Sequence, residues 1–241
     1  MILWILATAA AYFVKGLCGF ANTLVFTSIL GFGSSNIDIS PVELGLGFPT
    51  NVILAWKERK NLQPKVVVFL SALVMAGSIP GAFFLKNADS ETLKAVFGVV
   101  LVFMGLEMLA REYQKVRMKE SKIVLAVIGL MAGVLSGLFG VGALLAAYVS
   151  RVTENSSQFK ANFCGVFIIE NLFRVAVYLS LGIINRSTLK QSVMLMPFML
   201  LGLFGGMKSS QVLDERVVRK LVIILLIISG VVMIWKNLGR A

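Results

Sequence analysis

Eight long apolar segments separated by short polar loops are the feature of this sequence that most restricts its fold. In chain order the segments are 2–30, 41–56, 66–85, 93–110, 123–149, 159–182, 189–207 and 217–235. About 20 apolar residues in a helix span a hydrocarbon core of about 30 Å, and backbone facing lipid must satisfy its own hydrogen bonds. The sequence therefore predicts an all-α polytopic membrane protein of about eight hydrophobic helices.

Composition and the placement of charge agree with this class of protein. Hydrophobic residues make up 58% of the 241 residues and charged residues only 15%, whereas soluble domains carry roughly half and about a quarter. The net charge of +11 comes from Lys and Arg in short loops, above all 57–65 and 111–122. Such loops face the cytoplasm, so the excess charge indicates orientation in the membrane and no nucleic-acid partner. The apolar run at the start continues past any small-residue cleavage site, so we expect no cleaved signal peptide.

The residue inventory excludes most catalytic chemistry. The chain has no histidine and two cysteines, Cys18 and Cys164, both in apolar segments. Acid–base catalysis by histidine, zinc sites and haem ligation by histidine are therefore excluded. No GxxxxGK[ST] motif occurs, so the chain acting alone has no ATP-driven motor. We expect no enzyme activity, no metal and no cofactor.

The two halves of the sequence, 1–115 and 116–241, resemble each other at offsets of about 120 to 125 residues. The aligned residues are Gly16 with Gly137, Gly19 with Gly140, Gly45 with Gly165, Asn51 with Asn171, Gly77 with Gly202, Gly81 with Gly206, Asp89 with Asp214, Lys94 with Arg219 and Gly105 with Gly230. A repeat of half the chain length predicts one membrane domain of two related four-helix repeats. Its binding site is expected where the repeats meet.

The first segment of each half is too long for one span and is interrupted by glycines, at KGLCGF (15–20) and SGLFGVG (136–142). We therefore expect a broken helix at the start of each repeat. If the broken helices turn back as re-entrant hairpins the repeats are inverted, and if they cross the membrane the repeats are parallel. The distribution of Lys and Arg among the loops favours inverted repeats by a small margin.

The half-helices that follow the two breaks could bind an anion without any charged side chain. Their first backbone amides lack partners within the helix, and the helix dipole places positive potential at that end. The candidate substrate-binding residues at the breaks are Gly16, Gly19, Asn22, Gly140 and Gly142. The alternative is that these glycines serve only close helix packing.

A lysine and a proline-containing motif add candidates in the first half. Lys15 lies inside the first apolar segment, about 20 Å along a helix from the chain start, where a cation attracts an anion or instead snorkels or caps a helix. At GFPTN the proline frees a backbone carbonyl, so Thr50 and Asn51 are expected at a kink. Such a kink is also common as plain packing.

The second half supplies a cluster of polar side chains within one apolar segment. Glu170 and Arg174 are four residues apart, so they share a helix face and can form an ion pair. We interpret Arg174 and Asn171 as substrate-binding residues and Glu170 as the candidate for proton coupling. The alternative is an ion pair with no role beyond structure.

Other polar and small residues receive structural interpretations. The glycines spaced four apart in apolar helices are expected to serve helix packing: Gly77, Gly81, Gly202 and Gly206. Glu43 and Glu107 lie near the ends of apolar segments, so we expect both at the membrane interface.

The glycine-broken first helix (GLCGFANTLVFTSIL), its counterpart (GLFGVGALLAAYV) and the basic loop after the second helix together resemble the TauE/SafE sulfite exporter family, also called the toluene sulfonate uptake permease family. The resemblance covers the chain from about Ala7 to Trp235. It implies a multi-pass carrier in a bacterial or archaeal inner (cell) membrane that moves sulfur-containing anions such as sulfite, sulfoacetate, sulfonates or thioacids. Family members often carry consecutive glycines at the break, where this chain has Cys18, Gly19, Phe20 and Ala21.

The function that these features predict is secondary transport of a small sulfur-containing anion, with one half moving against the other and a carboxylate that could couple to protons. Two alternatives stay open at this point. One is a membrane thiol oxidoreductase that uses Cys18 and Cys164, and the other is a passive anion channel. The expected partners are the anion and the lipid bilayer, and the sequence leaves open whether the chain forms a homodimer.

Overall fold

The computed structural model describes residues 1–113, 122–153, 155–210, 212 and 215–238. These residues form α-helices joined by short connections, and they form no β-strand. The α-helices are α1 (Ile2–Cys18), α2 (Asn22–Leu30), α3 (Asn36–Lys57), α4 (Pro64–Asn87), α5 (Ser90–Tyr113), α6 (Lys122–Phe139), α7 (Ala143–Val152), α8 (Ser156–Ser180), α9 (Arg186–Ser209) and α10 (Glu215–Leu238). A short 3-10 turn (Arg59–Asn61) joins α3 to α4. The first and fifth apolar segments of the sequence each contain two helices.

The lengths and surfaces of these helices suit a bilayer. Among the described residues, α4, α5, α8 and α9 are long and apolar enough to cross a membrane, and α1, α6 and α10 contain shorter apolar stretches. Large apolar side chains such as Phe84, Leu201 and Trp235 lie on the outer surface. An outer surface of this kind is expected where lipid replaces water. The predicted all-α fold is confirmed for the described residues, and its long apolar helices are consistent with a membrane protein.

The chain reverses direction at the first break. Gly19 ends α1 with a φ of 84°, and Ala21 precedes α2 with a φ of 69°, a left-handed conformation that glycine adopts more easily than alanine. The Trp4 and Phe26 rings lie 5.7 Å apart, whereas 22 residues of uninterrupted helix would separate these positions by about 33 Å. Helix α2 therefore folds back beside α1.

The directions of neighbouring helices follow from their contacts. Tyr12 and Lys15 of α1 contact Glu43 and Asn51 of α3 in the same order, so α1 and α3 run in the same direction. Helix α8 runs opposite to α3. Its Arg174 lies beside Glu43, while its earlier residue Asn162 contacts Gln63, which follows α3. The two central helices of the halves are thus antiparallel.

Glycines bring helices of the two halves into backbone contact. A Cβ on Gly206 of α9 would collide with the Phe13 carbonyl oxygen of α1 and lie 3.1 Å from the Gly16 Cα. A Cβ on Gly81 of α4 would likewise lie 3.0 Å from the Gly137 Cα of α6. In both pairs the two helices run in the same direction. The packing function predicted for these helix glycines is confirmed.

Helices α5 and α10 form a third contact between the halves. A Cβ on Gly98 would lie 3.0 Å from the Gly230 carbonyl oxygen, and a Cβ on Gly105 would lie 2.6 Å from Ile227. The residue numbers rise in α5 as they fall in α10, so the two helices are antiparallel. Each half of the chain is therefore packed mainly against the other half.

We expect Gly81→Ala to destabilise the protein by roughly 1–3 kcal/mol, because the new Cβ would collide with the Val134 carbonyl oxygen. This oxygen belongs to the helix backbone and cannot easily move aside. Thermal unfolding of the purified protein in detergent measures the effect. Gly33→Ala is the matched control, because no atom lies within 4 Å of the added Cβ. Equal melting temperatures for the two variants would contradict the packing described above.

Candidate functional site

A small cavity lies where the two chain breaks meet the middle of α3 and α8. Seven of the predicted binding residues line it: Lys15, Asn22, Asn51, Gly140, Gly142, Asn171 and Arg174. Its volume is about 20 Å³, which is room for a water-sized group. The structure thus places residues far apart in sequence, and from both halves, around one space.

Two helix N-termini face this cavity. Its lining includes Asn22 and Thr23 at the start of α2 and Gly142 and Ala143 at the start of α7. No side chain caps either helix. The first amides of a helix lack partners within the helix, and both dipoles place positive potential at the cavity. This arrangement can stabilise an anion through backbone alone.

Lys15 brings the first cationic side chain to the cavity. It is 2% exposed, and its Nζ donates to the Asn51 Oδ1 at 2.7 Å. The Tyr12 ring centroid lies 5.9 Å from the Nζ. Within the described part of the chain, no carboxylate lies at salt-bridge distance from this amine. Lys15 is therefore a buried cation that is held by a neutral amide.

Arg174 brings the second cationic side chain, from the opposite half. Its Nη2 donates to the Asn171 Oδ1 at 3.0 Å and its Nη1 donates to the Ser136 carbonyl oxygen at 2.6 Å. The guanidinium also lies 5.7 Å from the centroid of the Tyr178 ring, whose hydroxyl donates to the Gly137 carbonyl oxygen. Asn51 and Asn171, which align in the two halves of the sequence, thus each accept a hydrogen bond from one cation of the site.

Glu43 also lines the cavity, which corrects the expectation that it lies at the membrane interface. It is 3% exposed. Its Oε1 accepts hydrogen bonds from Asn22 Nδ2 at 2.8 Å and from Thr23 Oγ1 at 2.7 Å. Its Oε2 lies 3.6 Å from Arg174 Nη2. A buried carboxylate therefore stands between the α2 N-terminus and Arg174.

Glu170 occupies a different position around the same guanidinium. Its Oε1 accepts a hydrogen bond from Ser136 Oγ at 2.9 Å and lies 3.5 Å from Arg174 Nε. The side chain is fully buried but does not line the cavity. The predicted ion pair with Arg174 is present, whereas the proposed role in proton coupling stays a prediction.

Gly140 permits the close approach of charge at the cavity. Its φ is 74°, and a Cβ at this position would lie 2.6 Å from Glu43 Oε2 and 3.0 Å from Arg174 Nη1. Any side chain would therefore displace the ion pair as well as strain the backbone. The second break in the chain thus supplies the space in which the two charged groups meet.

Four phenylalanines form a cluster beside the cavity. Their ring centroids lie between 4.8 and 6.5 Å from one another in neighbouring pairs, and the residues are Phe20, Phe159, Phe163 and Phe167. Phe163 and Phe167 line the cavity. Asn162, next to Phe163, donates to Gln63 Oε1 in the basic loop at 3.0 Å. The aromatic cluster thus lies beside the contact between α8 and that loop.

Three predicted binding residues lie outside the cavity lining. Gly16 packs on α9, and a Cβ on Gly19 would lie 2.6 Å from the Lys160 side chain. Thr50 Oγ1 donates to the Gly47 carbonyl oxygen at 2.7 Å. These residues shape the helices around the cavity, and their binding roles stay predictions.

Cys18 and Cys164 do not form a disulfide in this structure. Cys18 and Cys164 are both buried thiols, and neither lines the cavity.

Comparison with known proteins identifies one family. The family model described as Sulfite exporter TauE/SafE matches residues 4–233, nearly the whole chain. No curated protein and no solved structure gives a significant match. The family resemblance seen in the sequence is confirmed.

We expect Arg174→Met to destabilise the protein by about 3–5 kcal/mol, because two buried carboxylates would lose their shared cation. Adding Glu170→Gln to this variant should restore part of the loss. The measurement is thermal unfolding in detergent, with Arg186→Met as the control for loss of an exposed arginine. An Arg174→Met protein as stable as the control would show that this ion pair contributes little to folding.

Proposed function

This chain belongs to the sulfite exporter TauE/SafE family of membrane transporters, and we propose that it is a secondary transporter of a small sulfur-containing anion. Substrates of this class include sulfite, sulfoacetate, other sulfonates and thioacids. The anion binds in the cavity between the two chain breaks, in the inner cell membrane. Transport uses the gradients of the anion and of a coupled ion.

One observation carries this proposal: the uncapped N-termini of α2 and α7 line the same small cavity as Lys15 and Arg174. Backbone amides and two cations can together surround the oxygens of a sulfur oxyanion. Because the amides and charges come from both halves of the chain, no single half forms the site. This arrangement is typical of transporters that bind their substrate between two repeats.

The size of the cavity supports a carrier rather than an open pore. In this conformation the cavity has room for a water-sized group only, and Phe163 and Phe167 line one side of it. Sulfite, with four heavy atoms, and sulfonates, with five or more, need more room. Binding therefore requires the surrounding helices to move, as alternating access demands. The phenylalanine cluster is the proposed barrier on the side of the basic loop.

The two repeats are proposed to be inverted within one domain, with 1–115 and 116–241 as the repeating units. Equivalent helices run in opposite directions, since α3 is antiparallel to α8 and α5 is antiparallel to α10. Helices α1 and α4 also exchange equivalent partners, α9 and α6. The reversal of the chain between α1 and α2 supports a re-entrant hairpin, the feature that inverts the second repeat.

Proton coupling through a buried carboxylate is part of this proposal. Glu43 and Glu170 both flank Arg174. A proton on either carboxylate would remove a negative charge beside the guanidinium and so strengthen its attraction for an anion. The sequence favours Glu170 as the coupling residue.

We expect Lys15→Met to reduce transport about 10- to 100-fold at low substrate concentration, because the anion loses a charge-assisted hydrogen bond worth about 1.5–3 kcal/mol. The measurement is exchange of labelled sulfite, sulfoacetate and a thioacid in proteoliposomes. Lys190→Met is the matched control, since this lysine is exposed near the start of α9.

The same exchange assay distinguishes a carrier from a channel and tests the substrate class. Saturable exchange with counterflow supports a carrier, whereas rapid flux without counterflow would indicate a channel. Wild-type rates in Lys15→Met would remove this lysine from the site. No flux of any sulfur anion by the wild-type chain would contradict the substrate class.

Inverted repeats predict the accessibility of single cysteines placed in a variant that lacks Cys18 and Cys164. A cysteine at Ser210 should react with a membrane-impermeant maleimide from the cytoplasmic side, and one at Ser180 should react from the outside. Lys60→Cys, in the basic loop, is the control that reports the cytoplasmic side. The reverse pattern at Ser210 and Ser180 would indicate parallel repeats.

A further inference from the structure

The cavity contains an acidic group that an anion-binding site does not need. The charged side chains around it are Lys15, Glu43, Glu170 and Arg174. Their formal charges sum to zero. A monoanion that bound without compensation would therefore leave a net negative charge in a buried space, which is unfavourable.

We propose that Glu43 is the proton-coupling residue of this transporter: it takes up one proton at Oε2 when one monoanion binds, and it releases that proton when the anion leaves. This inference rests on the proposed anion transport. It assigns to Glu43 the role that the sequence alone suggests for Glu170. The consequence is obligatory binding of proton and anion together, in a ratio of one to one for a monoanion.

The position of Glu43 carries the first step. Glu43 lines the cavity whereas Glu170 does not, so the charge of Glu43 directly opposes any anion bound there. Its Oε2 also lies 3.6 Å from Nη2 of Arg174, which lines the same cavity. The ionised carboxylate thus competes with the substrate for the same cation.

The hydrogen bonds of Glu43 carry the second step. Oε1 accepts from Asn22 and Thr23, and a protonated carboxylic acid keeps a carbonyl oxygen that can accept both bonds. Among the described residues, Oε2 accepts no hydrogen bond. A proton can therefore be added at Oε2 without the loss of an existing hydrogen bond, and the new hydroxyl can donate to the bound anion.

The surroundings of Glu43 hold several ionisable groups on neighbouring helices, all with electrostatic interactions with this carboxylate. They are Tyr12 and Lys15 on α1, and Glu170, Arg174 and Tyr178 on α8. Lys15 and Arg174 are the two cations of this group, and both line the cavity. An anion between these cations neutralises their effect and so favours a proton on the carboxylate.

Glu43→Gln tests the assignment, because glutamine keeps the carbonyl oxygen but cannot exchange a proton. Proteoliposomes receive labelled methanesulfonate, which stays ionised over the whole pH range and so cannot carry the proton itself. The wild-type chain should accumulate this monoanion about tenfold for each pH unit of gradient, acidic outside. Glu43→Gln should retain counterflow but show no accumulation driven by the pH gradient.

Glu170→Gln and Glu91→Gln are compared in the same assay. Glu91 is an exposed glutamate at the start of α5, so its variant should accumulate methanesulfonate like the wild type. Glu170→Gln, where it transports, should retain a response to the pH gradient. Accumulation that persists in Glu43→Gln and disappears in Glu170→Gln would overturn the assignment.

A binding measurement separates this inference from the proposed function. Calorimetry in buffers of different ionisation enthalpy measures the protons taken up as sulfite or methanesulfonate binds to the detergent-purified chain. We expect about one proton per methanesulfonate for the wild type and none for Glu43→Gln. Anion binding without proton uptake by the wild type would overturn the inference alone, whereas no binding and no exchange of either anion would overturn the proposed function with it.

Discussion

The position of Arg174 is the constraint on which the rest of this structure depends. A guanidinium at the depth of a bilayer must be paired with carboxylates and other acceptors, because neither lipid nor a dry interior can solvate it. Here α8 supplies Asn171 and Glu170, α3 supplies Glu43, and the end of α6 supplies the Ser136 carbonyl oxygen. Satisfying one cation therefore fixes three helices from both halves relative to one another. The cavity is what remains on the open side of that arrangement.

The composition of the site follows from the break in each first helix. A continuous helix presents no unpaired amides at the membrane centre, whereas a helix that stops and restarts presents several. Left-handed residues make each restart possible: Gly19 and Ala21 in the first half and Gly140 in the second. Ala21 shows that this conformation does not strictly require glycine, although alanine adopts it at some energetic expense. Backbone strain at the breaks thus accompanies the groups that we propose bind the anion.

Periodic and local features of this chain could be predicted from its sequence, and the partner of a buried charge could not. The apolar segments, the glycine breaks and the Glu170–Arg174 ion pair rest on helix length and on spacing within one helix. Glu43 depends on where α3 begins. The apolar segment starts near residue 41, which places Glu43 at its end. The helix, however, starts at Asn36, so Glu43 lies about two turns inside it, beside Arg174. Contacts between distant segments, such as Lys15 with Asn51, also have no local signal beyond the repeat.

The glycine contacts limit how the cavity could open. Helix α1 packs on α9, and α4 on α6, so closely that a Cβ would meet backbone atoms. Sliding one half of the chain against the other would disrupt both interfaces, because backbone atoms of the two helices meet at these glycines. Helices α2 and α7 have only 9 and 10 residues, and their N-termini face the cavity. Movement of these short helices would widen the binding space while the glycine interfaces stay intact, so the rigid frame and the moving parts need not coincide with the two halves of the sequence.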